Sequence, residues 1–65
     1  MIIEYPCPKD KSQQDTDWCV DNFGGSTLLE CRFGEWDNYI LTRILTEEQA
    51  VMLLLRYPDA KVINK

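Results

Sequence analysis

Short runs of alternating apolar and polar residues dominate the chain and predict strands over most of its length. Residues 2–5 are β-prone, and Pro6-Cys7-Pro8 is expected to end this first strand, because proline has no N–H for a ladder. Residues 9–17 are polar and predict an exposed, mobile loop. Residues 18–23 predict a second strand. Gly24-Gly25 then predicts a hairpin turn, since glycine accepts positive φ.

A third strand is predicted over residues 27–33. The alternation there puts one row of side chains toward the core, namely Leu29, Cys31 and Phe33. Residues 34–38 combine glycine, aspartate and asparagine, a composition typical of a turn.

Residues 39–45 predict a fourth strand whose buried face is ambiguous. Arg43 falls on the same row as Leu41, and a charged residue disfavours burial. The pattern therefore favours the other row as the core face: Ile40, Thr42 and Ile44.

The start of a helix is the clearest local pattern. Thr46 is followed three residues later by Gln49, which fits a capping box, and the two residues after Thr46 are glutamates that suit the helix dipole. A core-facing stripe recurs at helical spacing, comprising Ala50, Leu53, Leu54 and Tyr57. Pro58 ends the helix, and residues 60–64 predict a last short strand.

These elements predict a single α+β domain over residues 1–65. We expect a small antiparallel sheet of about four to five strands in the order β-β-β-β-α-β, with one helix packed on one face. A chain of this length buries only roughly 60% of its unfolded surface, so its core is thin.

Charge and cysteine content narrow the classes of partner. Eleven acidic residues against seven basic ones give a net charge of −4, which disfavours direct binding to nucleic acid or an anionic membrane. No segment has the ~18 apolar residues of a membrane span, and the N-terminus lacks the features of a secretion signal. An odd number of cysteines, three, favours reduced thiols in the cytoplasm.

The residues do not favour catalysis, a metal or a cofactor. The chain has no histidine, and neither serine adjoins a base, so we expect no enzyme. Its cysteines, Cys7, Cys19 and Cys31, lie twelve residues apart without the close pairs of a zinc site. We expect Cys31, and with it Cys19, to be small buried apolar residues. A Cys7–Cys19 disulfide would need an oxidising compartment.

Acidic and aromatic residues form the candidate binding surface. No positive charge lies between Lys11 and Arg32, where several carboxylates are concentrated, and this segment is either solvated or meets a basic partner. Trp36 either folds back over the sheet edge or stands exposed as an interface anchor, and Trp18 presents the same choice. The predicted partner-binding residues are Asp15, Asp17, Trp18, Asp21, Glu35, Trp36 and Asp37.

The leading hypothesis is a small acidic protein-binding module or inhibitor that occupies a surface of a larger, basic or nucleic-acid-processing host protein. Its format is typical of phage and mobile-element products, and DNA mimicry is one form it takes. The alternative is a structural subunit that forms a homo-oligomer through a sheet edge or through its helix, where Val51, Met52 or Leu55 is left exposed. A third class, metal or redox, rests on the cysteines alone.

Overall fold

The computed structural model describes residues 1–25 and 27–63. Strands and helices follow one another in the order strand, helix, strand, strand, helix, strand. Their bounds are β1 Ile2–Pro8, α1 Ser12–Phe23, β2 Leu28–Phe33, β3 Asn38–Ile44, α2 Glu47–Arg56 and β4 Lys61–Val62. A 3₁₀ turn, Lys9–Lys11, precedes α1. The predicted α+β class with a small antiparallel sheet is confirmed, but the structure has a helix where the second strand was expected.

The four strands form one antiparallel sheet in the order β2-β3-β1-β4. Each helix therefore connects two strands that lie on either side of a third, and the element order is that of the split βαβ, or ferredoxin-like, arrangement. This topology carries no functional assignment by itself.

Both helices cover the same face of the sheet. Alternate residues of β1 are buried on this face, and α1 and α2 contribute side chains to the same cluster. The core consists of Ile3, Tyr5, Cys7, Cys19, Leu41, Leu45, Ala50 and Leu53. The helices cover only the middle of the sheet, so β2 lies outside them and all of its residues are exposed.

The segment predicted as a mobile loop and a strand is helical. Residues 9–17 comprise the 3₁₀ turn and the first half of α1, and residues 18–23 are its second half. Gly24 does not form a hairpin turn. It caps α1 with φ of 75°, and its N–H donates to the Val20 carbonyl at 2.9 Å. The prediction failed because a left-handed glycine serves both a hairpin turn and a helix end.

Two expected core rows are wrong. Leu29, Cys31 and Phe33 are exposed because β2 is an edge strand beyond the helices. In β3 the row facing the helices contains Arg43, which is only 3% exposed. Of the expected row, Thr42 is buried but Ile44 is exposed. Burial of Arg43 is allowed because an acidic residue of α1 compensates its charge.

Other predictions for the ends of elements had mixed outcomes. Pro6-Cys7-Pro8 does not end β1 but forms its second half. The capping box is confirmed, because Gln49 N–H donates to Thr46 Oγ1 at 3.2 Å and Thr46 N–H donates to Gln49 Oε1 at 3.0 Å. The final strand is present as Lys61–Val62, whereas Asn64 lies outside the described residues.

A buried polar cluster joins α1 to the sheet. Asp15 has no exposed surface, and its carboxylate accepts hydrogen bonds from Tyr5 Oη at 3.0 Å, Arg43 Nη2 at 3.0 Å and Tyr57 Oη at 2.8 Å. Arg43 Nε also donates to Tyr5 Oη at 2.8 Å, and its Nη1 donates to Thr27 Oγ1 at 3.1 Å. Among the described residues, no buried side-chain nitrogen or oxygen lacks a partner.

We expect Asp15→Ala to lower the free energy of unfolding by about 3–5 kcal/mol, because Arg43 would remain buried without its counter-charge. A core of this size supplies about the same amount, so the variant should be largely unfolded. Asp17→Ala, at an exposed position of the same helix, should change stability by only about 0.5 kcal/mol. Urea unfolding followed by circular dichroism measures both, and an Asp15→Ala protein as stable as wild type would contradict the assignment.

Candidate functional site

The seven predicted binding residues do not form one surface. Asp15 is interior, so its assignment to a binding surface is wrong in this structure: its carboxylate is enclosed by its own chain. Asp17 and Asp21 are exposed on α1, and Trp18 is half-buried. The remaining three are exposed in the turn between β2 and β3: Glu35, Trp36 and Asp37.

Trp18 packs against the core. Its ring lies edge-on to Phe23, with centroids 5.4 Å apart and planes at 83°. The Arg56 guanidinium lies 4.8 Å from the Trp18 ring centroid, which brings the end of α2 against α1. Trp18 is therefore half-buried against the core and does not stand fully exposed.

Trp36 does not fold back over the sheet edge and is 90% exposed. The turn that carries it is closed by two backbone hydrogen bonds, from Gly34 N–H to the Asn38 carbonyl at 2.8 Å and from Asn38 N–H to the Glu35 carbonyl at 3.2 Å. Trp36 and Asp37, its central residues, both have φ of 58°. Positive φ at both central positions characterises a type I′ hairpin turn. We refer to residues 35–38 as the Trp36 turn.

The Trp36 turn has an unfavourable sequence for its backbone. Type I′ turns strongly prefer Asn-Gly, whereas a bulky residue at positive φ is rare and costs of order 1–3 kcal/mol. Here tryptophan occupies the first of those two places, and the second is taken by aspartate, which tolerates positive φ better than a bulky residue does. Residues that strain the backbone without packing into the core mark a candidate functional site.

The chain after β1 supports the turn from one side. Lys9 N–H donates to the Asp37 carbonyl at 3.0 Å, which fixes the 3₁₀ turn against the hairpin. A shallow groove between the two segments is lined by Pro8, Lys9, Asp10, Trp36 and Asp37. Carboxylates of Asp10 and Asp37 thus lie with the indole ring at one surface.

A second exposed aromatic residue lies beside this groove. Phe33, 76% exposed, packs against Tyr39 with ring centroids 5.6 Å apart. Lys9 connects the two features, because its Nζ lies 4.7 Å from the Phe33 ring centroid and 5.8 Å from that of Tyr39. The candidate site is therefore the Trp36 turn with Phe33, Lys9 and Asp10.

Sequence reasoning missed those last three residues. Phe33 was expected in the core, and its position next to the turn was the available indication that it lies with Trp36. Lys9 and Asp10 could not be found from the pattern, because only the pairing of β1 with β3 brings them to the turn.

Burial raises the pKa values of four titratable groups in and beside the core. Burial, with the Asp15 carboxylate nearby, raises the pKa of Cys19 to about 11 and raises that of Cys7 as well. Burial likewise raises the pKa values of Tyr5 and Tyr57. Both buried thiols are therefore protonated at neutral pH, and a thiol rather than a thiolate is a poor nucleophile and a poor metal ligand.

Cys31 was expected to be buried but is exposed, while Cys7 and Cys19 are both buried. All three are free thiols in the structure. Within residues 1–25 and 27–63, no group of histidine, cysteine, aspartate or glutamate side chains is arranged to hold a metal ion. The described helices include none that is long and apolar enough to cross a membrane.

Comparison with known proteins gives no relative: no protein-family model, curated protein or solved structure matches the chain. Its class is defined by the fold and the site alone, an α+β protein with an exposed aromatic turn at one end of its sheet.

We expect the free energy of unfolding to fall between about pH 9 and pH 11. The unfolded chain loses the Cys19 proton near the ordinary thiol pKa of 9.0, whereas the folded chain keeps it until about pH 11. The folded state thus holds more protons in this range, and this group alone lowers stability by up to about 1.4 kcal/mol per pH unit. Urea titrations across the range measure the slope, and Cys19→Ala should make it shallower. An identical slope in this variant would exclude the contribution of Cys19.

We also expect the double variant Trp36→Asn, Asp37→Gly to be more stable than wild type by about 1 kcal/mol. Asparagine and glycine accept positive φ at these positions, so the strain of the Trp36 turn is relieved. Thermal unfolding measures the gain. Leu55→Gln removes an exposed apolar side chain from α2 without altering a turn, and should change stability by only about 0.5 kcal/mol. A melting temperature of the double variant below that of wild type would refute backbone strain in the Trp36 turn.

Proposed function

We propose that this chain is a small protein-binding module that inhibits or modulates a larger host protein by occupying part of its surface. The Trp36 turn is the site that makes the contact, with Trp36 as its anchor. The observation that carries the proposal is the 90% exposure of Trp36 on a strained turn.

Trp36 has the properties of an interface anchor. Tryptophan buries a large area on binding and is enriched among the residues that dominate binding energy. Its backbone is held by the hydrogen bonds of the hairpin and by Lys9, so little conformational entropy is lost when a partner binds. A partner pocket that binds the indole ring would bury this exposed apolar surface.

The charges around the turn favour a basic partner. Glu35 and Asp37 flank Trp36, Asp10 lines the same groove, and the chain carries a net charge of −4. Opposite charges across an interface accelerate association and exclude acidic competitors. The Lys9 ammonium group lies against the rings of Phe33 and Tyr39, so the charged groups beside Trp36 are mainly acidic.

Proteins that process nucleic acid are the partner class that fits this charge. Their binding clefts are basic, and carboxylates standing where phosphates would lie make DNA mimicry one form of the proposal. The same proposal includes a cytoplasmic location and an origin from a phage or mobile element. It also includes the absence of catalysis and of a cofactor.

The test compares three immobilised proteins as baits in a nuclease-treated bacterial lysate: wild type, Trp36→Asn and Leu55→Gln. Asparagine is chosen because it removes the ring while accepting the positive φ of this position, so the variant stays folded. Leu55→Gln is the matched control, since Leu55 is 80% exposed but lies on α2.

We expect one dominant host protein that binds wild type and Leu55→Gln and is reduced at least about tenfold with Trp36→Asn, as befits an interface anchor. Its binding should weaken as salt is raised, because acidic side chains contribute. A partner retained by Trp36→Asn but lost with Leu55→Gln would move the interface to α2, and the absence of any partner would reject the proposal.

A further inference from the structure

The two edges of the sheet differ in their capacity to pair with another strand. At one edge, β4 covers β1 at only two registered positions, Ile3 and Glu4. Met1 exchanges two hydrogen bonds with Leu45, and Lys9 N–H donates to Asp37. Because hydrogen-bonded pairs alternate along an antiparallel ladder, the odd-numbered residues of β1 face β3 and the even-numbered ones face outward.

Prolines occupy the outward positions of β1 that β4 leaves uncovered. Pro6 and Pro8 have no N–H, so this edge offers no donor there to an incoming strand. Proline at such positions is a recognised means of preventing edge-to-edge association.

The opposite edge, formed by β2, lacks this proline block. Gly34 N–H donates to Asn38, so by the same alternation Glu30 and Arg32 bond toward β3. Cys31 and Phe33 therefore direct their N–H and C=O groups to the outer edge of the sheet. Every residue of β2 is exposed, and the strand contains no proline.

We propose that this edge pairs with a second copy of the chain, β2 against β2 in antiparallel orientation, around a two-fold axis at Cys31. The two sheets then become one continuous sheet. The occupant is inferred to be a second copy because the charges of β2 are complementary to themselves in one register.

In a symmetric antiparallel pair the two-fold axis passes at one residue of β2, and residues equally far from it lie opposite each other. Three positions of this axis bring outward-directed N–H and C=O groups of the two copies together: Cys31, Arg32 or Phe33. A centre at Arg32 places two guanidinium groups directly opposite each other, which is destabilising. A centre at Phe33 places neither Glu30 nor Arg32 opposite a charge of the other copy, so their only ion pairs are those within each chain, including Arg32 with Glu4. A centre at Cys31 places Glu30 of each copy opposite Arg32 of the other, twice, and these two side chains already form an ion pair of 3.0 Å within one chain.

Pairing would also cover exposed apolar surface. Leu28, Leu29 and Phe33 are 42%, 54% and 76% exposed.

The ladder between β2 and β3 is irregular between Leu28 and Glu30, so only the segment after it presents a regular edge. A ladder this short predicts a dimer that dissociates on dilution.

The dimer is independent of the proposed function, since Trp36 lies outside β2. Trp36→Asn should leave self-association unchanged. If both proposals hold, each dimer presents two Trp36 turns.

A matched pair of variants at Cys31 tests the edge. Cys31→Ser keeps the outward N–H, whereas Cys31→Pro removes it as Pro6 and Pro8 do in β1. Sedimentation analysis over a concentration series should show the Cys31→Ser dimer near wild-type affinity and a dissociation constant raised roughly tenfold or more for Cys31→Pro. Circular dichroism checks that each variant is folded.

Reciprocal charge reversal tests the register without altering the backbone. Arg32→Glu and Glu30→Arg each bring like charges together across the axis, so each variant alone should be monomeric. Mixed in equal amounts, they again place a carboxylate opposite a guanidinium at both positions, and the dimer should return. In wild type, a short bis-maleimide should link two copies through Cys31, because paired Cα atoms lie about 5.5 Å apart there and the other two thiols are buried.

The proposal is overturned if wild type stays monomeric throughout the series. It is equally overturned if a dimer survives in folded Cys31→Pro, or if the mixed charge variants do not associate. A surviving dimer that Leu55→Gln dissociates would place the contact on α2 instead.

Discussion

The carboxylate of Asp15 lies where α1, β1, β3 and the end of α2 meet. A charge removed from water costs several kcal/mol unless opposite charge and hydrogen bonds replace the solvent. Arg43, Tyr5 and Tyr57 supply both, and Tyr5 and Tyr57 stack with ring centroids 4.5 Å apart. The four elements must therefore assemble together, because none of these polar groups is stable in the interior without the others.

This arrangement uses the buried polar cluster for stability, and the proposed binding site lies on the surface. Asp15 is saturated by its partners, and the buried thiols stay protonated because burial raises the pKa values of Cys7 and Cys19. The features without an internal role lie outside: the Trp36 turn, whose strained backbone serves no packing, and the β2 edge. Prolines block the uncovered part of the β1 edge, whereas β2 contains no proline, and this contrast is the basis of the proposed dimer.

The candidate site was partly predictable. Trp36 between two carboxylates in a turn was recognised from the sequence, because turn composition and side-chain character are local properties. Asp15 was misassigned because an aspartate in a polar segment is usually solvated, and its partner Arg43 lies 28 residues away in the chain. Lys9 joins the site only through the register of β1 with β3.

The sequence by itself determined the features that depend on a few neighbouring residues: the capping box at Thr46 and Gln49, the turn at residues 34–38, the α+β class and the acidic charge. Tertiary structure decided which face of each strand is buried, and it made residues 12–23 one helix instead of the predicted loop and strand. That segment has no uniform apolar stripe, because its most deeply buried position is an aspartate. Only folding brings the arginine and the two tyrosines to this aspartate and makes its burial favourable. The pattern of hydrophobic and polar residues along the chain does not show such long-range contacts.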